Sequence, residues 1–266
     1  MEQVKPKKNL GQNFLLDKEI VSLIVESADI SLDDLVIEPG SGTGIVTEKL
    51  IETGAQIIGV EIDKDLIPVL KEKFKNRLNF QLESNNVLDA SFGSLVGGKP
   101  YKVVGSIPYQ ISSPLIHKIL FENIRPSIVC IVLQKEVAEK IVGGVGQATY
   151  MSNMVELFYD SQMVKIIGPE AFSPAPKVHS ALLLLTLKPI QPVINLKKFK
   201  GFLHKAFSNR RKMLNKTFSV EQLEIAKISK TARPQEVSLN NFIKLYHEDL
   251  AMKELSRLQC PLGYTI

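Results

Sequence analysis

Two short segments of this 266-residue chain carry residue types whose spacing could do chemistry. The first is Glu38-Pro39-Gly40-Ser41-Gly42-Thr43-Gly44, set between the strand-like run Leu35–Glu38 and a helical pattern that begins at Ile45. Glycines permit a tight turn and let backbone approach a ligand closely. The unpaired N–H groups that open the following helix attract an anion such as a carboxylate. Glu61 stands twenty-one residues after Gly40, near the end of the β-branched run Gln56–Ile62. A carboxylate there can accept hydrogen bonds from both hydroxyls of a ribose. The second segment is Ser106-Ile107-Pro108-Tyr109, which follows the strand-like stretch Lys102–Gly105. Ser106 and the Ile107 carbonyl offer hydrogen-bond acceptors, Pro108 stiffens the turn, and Tyr109 offers a face on which a base can stack.

Two ligand classes fit the glycine loop. Dinucleotide sites read G-x-G-x-x-G, whereas this loop reads G-x-G-x-G after an acid. That pattern resembles class I S-adenosylmethionine methyltransferases. Ser106–Tyr109 in turn resembles the (Asn/Asp/Ser)-x-Pro-(Tyr/Phe) motif of enzymes that methylate amino groups of adenine, cytosine or glutamine. An aromatic amine delocalises its lone pair and is a poor nucleophile. Acceptors at 106 and 107 steer its nitrogen toward tetrahedral geometry, so positioning carries most of the work. Alone, a Ser-x-Pro-Tyr string is an ordinary turn. Its place after a strand and downstream of the glycine loop gives it weight.

Positioning these groups requires a sheet. Strand-like runs at Leu35–Glu38, Gln56–Ile62, Phe80–Glu83, Lys102–Gly105 and Ser127–Gln134 alternate with helical patterns. The helical patterns cover Ile20–Ala28, Ile45–Thr53, Leu66–Phe74, Pro114–Phe121, Val137–Ile141 and Met151–Tyr159. Such alternation predicts an α/β fold with a mostly parallel sheet and helices on both faces. Gln162–Ile167 and His179–Lys188 read as a final pair of strands at an antiparallel edge. Composition changes at Pro189–Pro192. Beyond it Phe199, Phe202 and Phe207 recur at helical spacing as core residues, and Asn240–Leu250 reads as a further helix. The boundaries expected are 1–190 for a catalytic domain and 195–266 for a small helical domain.

Composition narrows the function classes. No apolar run reaches the ~18–20 residues of a membrane-spanning helix, and no secretory signal follows the basic start. Cys130 and Cys260 are lone and distant, and His117, His179, His204 and His247 show no ligand spacing. A disulfide framework and a metal site are therefore not expected, which fits a reducing, cytoplasmic setting. Net charge is +5, weak evidence by itself for a nucleic-acid partner. Its distribution says more: eight Lys/Arg and no acid lie between Lys197 and Lys216. Lys5, Lys7 and Lys8 form a second basic cluster. Lys7, Lys8, Arg210, Arg211 and Lys212 are the candidate RNA-backbone contacts. A solvated helix face is the bland alternative.

Beyond these motifs the chain resembles the KsgA (RsmA) family of small-subunit rRNA adenine dimethyltransferases along nearly its whole length. The resemblance rests on Lys8–Leu15, Glu38–Gly44, Gly59–Asp63, Gly105–Pro114, Gln134–Ala138, Phe172–Ser180, Ala206–Lys212 and Phe242–Leu245, in that order. It implies a Rossmann-like class I methyltransferase fold with a seven-stranded sheet and a small C-terminal all-helical domain. It implies N6,N6-dimethylation of two adjacent adenosines in the 3′-terminal hairpin of 16S rRNA during small ribosomal subunit assembly, by a monomer without metal. It places Gln12, Asn13, Leu15, Gly40, Gly42, Gly44, Glu61, Ile62, Asn86, Val87 and Ser106 around S-adenosylmethionine, and Ser106, Ile107, Pro108 and Tyr109 at the target base. Two positions depart from the family pattern: Asn86 stands where Asp is usual, with Asp89 as the alternative, and Ser106 stands where Asn is usual. An Erm-type 23S rRNA methylase, or a non-catalytic RNA-binding assembly or transcription factor on this scaffold, is the alternative reading.

Overall fold

The computed structural model describes residues 5–258, so Cys260 lies outside the described residues. The chain divides into two compact units. The first takes the residues up to Val142 together with Phe158–Pro189, and the second takes Gly143–Leu157 together with the residues from Ile190 on.

The first unit opens with β1 (Phe14–Leu15), α1 (Lys18–Ser27), β2 (Leu35–Pro39), α2 (Ile45–Glu52) and β3 (Gln56–Glu61). It continues with α3 (Leu66–Lys73), β4 (Phe80–Ser84), α4 (Phe92–Leu95), β5 (Lys102–Ser106), α5 (Ser112–Phe121), β6 (Ile128–Gln134) and α6 (Lys135–Val142). After α7 (Tyr150–Glu156), a helix of the second unit, come β7 (Tyr159–Ile167), β8 (Phe172–Ser173) and β9 (Ser180–Leu187). Seven strands form one sheet in the order β4-β3-β2-β5-β6-β9-β7. The first five are mutually parallel, and β9 pairs antiparallel with both β6 and β7. The mostly parallel, seven-stranded sheet expected from the sequence is therefore present, and so is its antiparallel edge.

Strand order reverses between β2 and β5. The chain runs outward from β2 to β4, then returns to lay β5 on the other side of β2. Loops leaving the carboxyl ends of these strands diverge, and ligands bind in the crevice that results. The motif loops leave from those ends. The sheet is anchored below them by Val36, Leu50, Ile57, Leu70, Val104 and Leu182, all essentially buried. Each such aliphatic side chain contributes roughly 1.5–3 kcal/mol. Cys130 belongs to this core, and burial pushes its thiol up to about 12, so it packs as an inert apolar residue. Helix α1 starts where the Asp17 carboxylate accepts from the Glu19 and Ile20 N–H groups, and it buries Ile20, Val21, Ile24 and Val25.

The second unit also contains α8 (Leu196–Phe207), α9 (Val220–Ile225) and α10 (Leu239–Leu258). Phe199 and Phe202 are buried in it, as their spacing predicts, and Phe207 packs on Phe242 with ring centroids 5.5 Å apart. Residues 143–157 depart from the expected division at 190. Tyr150 stacks on His204 at 4.2 Å, Gly146 N–H donates to the Gln235 carbonyl (2.7 Å), and Arg210 donates to the Ala148 carbonyl (3.3 Å). A continuous sequence boundary cannot express this, because the segment is inserted between elements of the sheet unit. Tyr159 also departs from expectation. It opens β7 opposite Leu187 instead of closing a helix, and its hydroxyl donates to the Pro126 carbonyl at 3.0 Å. The paired two-residue strands β1 and β8 were too short to show a period.

Gly44 and Gly97 both adopt positive φ, at 78° and 58°. A Cβ at Gly44 would meet Phe74 at 2.8 Å and Leu70 at 2.9 Å, whereas one at Gly97 would meet nothing within 4 Å. Gly97→Ala should cost only the left-handed backbone penalty, about 1–2 kcal/mol. Gly44→Ala should cost roughly 1–3 kcal/mol more through overpacking. Urea unfolding checks this, and equal losses would show that the contact with α3 is not tight.

Candidate active site

At the carboxyl ends of β2, β3, β4 and β5 lies a cavity of about 230 Å³. One water needs only ~10–15 Å³, so the cavity has room for a small molecule. Gly40, Gly42 and Glu61 line it, as do Ile62, Asn86 and Val87. From the N-terminal segment come Gln12, Asn13 and Leu15, and from the turn after β5 come Ser106 and Pro108. The sequence placed all eleven at a ligand site, and one cavity gathers them.

The glycine loop is held by two carboxylates. Glu61 Oε2 accepts from the Gly42 N–H (2.8 Å), and Oε1 accepts from the N–H groups of Ile62 and Asp63 (both 2.9 Å). Glu38 is buried beneath the loop, and its Oε2 accepts from Ser41 Oγ (2.8 Å) and Thr47 Oγ1 (2.6 Å). Burial raises the Glu38 carboxyl to about 7, against the opposing pull of these two hydroxyls and with help from the nearby Glu61 charge. Gly59 of β3 leaves room for this packing, because a Cβ there would meet Ser41 Oγ at 2.5 Å.

Residues 7–15 form one wall of the cavity. Asp63, itself buried, accepts from the Lys7 ammonium and, at 2.7 Å, from the Gln12 amide. Lys7 also pairs with Asp65 at 2.7 Å. Burial works against the Asp63 charge, but Lys7, the Asp65 N–H and Gln12 hold its carboxyl below the ordinary range. Antiparallel pairing of β1 with β8 fixes the other end of the segment, with Leu15 opposite Phe172. Lys7 therefore sits in a structural clasp and not free on an RNA surface, while Lys8 is exposed. No sequence signal marked Asp63 as the clasp, because its partners are 51 and 56 residues away.

The turn after β5 faces the glycine loop directly. A Cβ at Gly40 would meet Pro108 Cδ at 3.4 Å. Ser106 is the last residue of β5 and pairs with Val132, whose carbonyl accepts the Ile107 N–H at 3.2 Å. Ile107 and Tyr109 are not part of the cavity lining. Ile107 is buried, and the Tyr109 hydroxyl meets Ser180 Oγ at 2.5 Å. Gly44 is also outside the lining and instead caps α2 against α3. Asn86 faces the cavity with its amide engaged: Oδ1 accepts from the Leu88 N–H (3.1 Å) and Nδ2 donates to Asp89 (2.8 Å). A carbonyl oxygen has two lone pairs, so Oδ1 keeps one acceptor site. Asp89 does not line the cavity. In the second unit Arg210, Arg211 and Lys212 are all exposed.

Among the described residues no helix is long and apolar enough to cross a membrane, and no cluster of His, Cys, Asp or Glu could hold a metal. Sheet topology and the glycine-loop cavity define a class I S-adenosylmethionine-dependent methyltransferase. Residues 3–250 match the family described as ribosomal RNA adenine dimethylase, and the chain belongs to that family. Ribosomal RNA small subunit methyltransferase A of Persephonella marina is 38% identical, covering 95% of this chain and 97% of that protein. The protein of the same name from Pseudomonas aeruginosa is 36% identical, covering 92% and 95%. Among solved structures, a dimethyladenosine transferase from Plasmodium falciparum superposes with a TM-score of 0.79 at 25% identity, covering 90% of this chain and 98% of that one. The 23S rRNA methyltransferase ErmE superposes at 0.73 with 25% identity, covering 88% and 98%.

Glu38 gives the site a pH signature. Its carboxyl stays protonated up to about 7 in the folded chain, against an ordinary value of 4.5. Between those values the folded protein holds a proton that the unfolded chain releases. Stability from this group is therefore lost as pH rises from about 4.5 to about 7 and is level above that, a change on the order of 3 kcal/mol. Glu38→Gln removes the titration. Urea unfolding of both proteins between about pH 4 and pH 8 should show the gap shifting in the variant's favour, and a constant gap contradicts the assignment.

Proposed function

We propose that this chain transfers methyl groups from S-adenosylmethionine to N6 of two adjacent adenosines in the 3′-terminal hairpin of 16S rRNA, on assembling small subunits in the cytoplasm. The observation that carries the reading is the meeting of Gly40 with Pro108 across one cavity. A cofactor loop and an acceptor turn in direct apposition suit transfer between two bound partners better than binding alone. The alternative of a non-catalytic RNA-binding factor has no use for that apposition.

The cavity suits the cofactor by its chemistry. Gly40 and Gly42 present side-chain-free backbone, and Glu61 presents a carboxylate to a ribose. When bound, S-adenosylmethionine supplies an electrophilic methyl group on a sulfonium. Ser106 Oγ and the Ile107 carbonyl accept from the adenine amine and direct its lone pair at that methyl. Transfer would form a C–N bond as the C–S bond breaks, with the proton of the amine released to solvent. The Ile107 N–H, tied to Val132, holds the turn still during transfer. Tyr109 supports the extruded base. Ser106 keeps an oxygen where the family usually has an amide, so acceptor function is retained on a shorter side chain. The exposed run Arg210-Arg211-Lys212 supplies phosphate contacts.

Relatives named for the small subunit favour that substrate, while the likeness to ErmE makes the large subunit the alternative. Labelled methyl should enter undermethylated small subunits and not large-subunit rRNA. Incorporation only into the latter selects the Erm-type reading, and none in either, with cofactor bound, rejects both. Within the site, Glu61→Ala should weaken cofactor affinity about tenfold or more, because charge-assisted hydrogen bonds are among the strong ones. Tyr109→Ala should lower turnover and leave calorimetric cofactor affinity near wild type. Equal losses of both quantities in Tyr109→Ala would contradict its assignment to the base.

A further inference from the structure

We propose that Ser180 is a positioning residue for methyl transfer: its hydroxyl fixes the ring of Tyr109 from the far side of the acceptor turn. The inference rests on the reading of Ser106–Tyr109 as that turn.

The two hydroxyl oxygens are 2.5 Å apart and 71 residues apart in sequence. Ser180 is fully buried, and among the described residues Tyr109 is the partner found for its Oγ. It opens β9, a strand held on both sides: Ser180 pairs with Gln134 of β6 and with Ile167 of β7. Its backbone is therefore among the most constrained near the site. The residues that follow, Ala181, Leu182 and Leu183, are buried and apolar. A hydroxyl at the head of such a run is costly unless it is paired.

Tyrosine needs such an anchor here. The whole ring can swing about χ1 between staggered wells, and half-burial alone does not hold it. Tyr109 lies in a short 3-10 turn, half-buried and outside the cavity that Ser106 and Pro108 line. Fixing the hydroxyl to an atom of the sheet fixes the direction of the ring's long axis, and so where the ring stands beside the turn. The acceptor turn is then pinned at two places, at Ile107 N–H by Val132 of β6 and at the Tyr109 hydroxyl by Ser180 of β9. These strands are neighbours in the sheet. Ser106 and Ile107 set where the amine sits, and Ser180, through Tyr109, sets where the ring stands that supports the base. Small misplacements of a reacting group cost up to about a hundredfold in rate.

The test compares wild type, Ser180→Ala, Tyr109→Phe and the double variant as full chains. Each is assayed for thermal midpoint, calorimetric affinity for S-adenosylmethionine, and kcat on undermethylated small subunits. Each single variant should lose about tenfold in kcat, corresponding to roughly one hydrogen bond, with cofactor affinity within about twofold of wild type. The double variant should be no slower than the slower single one, since both remove the same bond. Wild-type kcat in Ser180→Ala, multiplying losses in the double variant, or equal loss of cofactor affinity and kcat would overturn the proposal. If Ser180→Ala does not fold, Tyr109→Phe decides alone, with wild-type kcat overturning it. A wild-type protein that methylates no rRNA would instead reject the underlying reading and this inference with it.

Discussion

The carboxylate of Glu61 is the fastening on which the site depends. It accepts from Gly42, Ile62 and Asp63, joining the loop after β2 to the end of β3. Charge-assisted bonds of this kind are about twice as strong as neutral ones. They hold the glycine loop in a single conformation over the reversal point of the sheet. Two residues on, Asp63 gathers Lys7 and Gln12 and so draws the N-terminal segment onto the same cavity. One strand end thus organises three walls of the site through neighbouring acids with different duties. Glu61 lines the cavity and holds the glycine loop, and Asp63 secures the wall formed by residues 7–15.

The acceptor side is built differently. It uses no charge, only a strand end, a proline and two hydrogen bonds, one to β6 and one to β9. That division follows the chemistry. A cofactor with a ribose and a carboxylate calls for ionic and backbone partners, whereas an adenine amine needs weak acceptors held rigidly. Strand order brings the halves together, because β2 and β5 are neighbours and Gly40 and Pro108, just beyond their ends, face each other.

Much of this was legible in the sequence because its signals are local. A glycine loop between strand and helix, an acid at the next strand end, and a turn after β5 are each contiguous strings. Alternating strands and helices fixed their order, and the family resemblance supplied Asn13, Leu15 and Val87, which no periodicity could mark. What escaped was non-local. Ser180 and Asp63 become functional candidates only when partners more than 50 residues away are in view. The insertion of 143–157 into the helical unit is of the same kind, since its ties to His204, Arg210 and Gln235 leave no trace in composition. Gly44 belongs to the glycine motif yet lies outside the cavity lining, and its lack of a side chain makes room for Phe74 and Leu70.

Nucleoside mass spectrometry of the reaction product tests the central claim most directly. Undermethylated small subunits are incubated with this chain and S-adenosylmethionine, and the rRNA is then digested and mapped. N6,N6-dimethyladenosine is expected at two adjacent positions in the 3′-terminal hairpin. Methyl groups on another base or another atom, or modification confined to large-subunit rRNA, would contradict it.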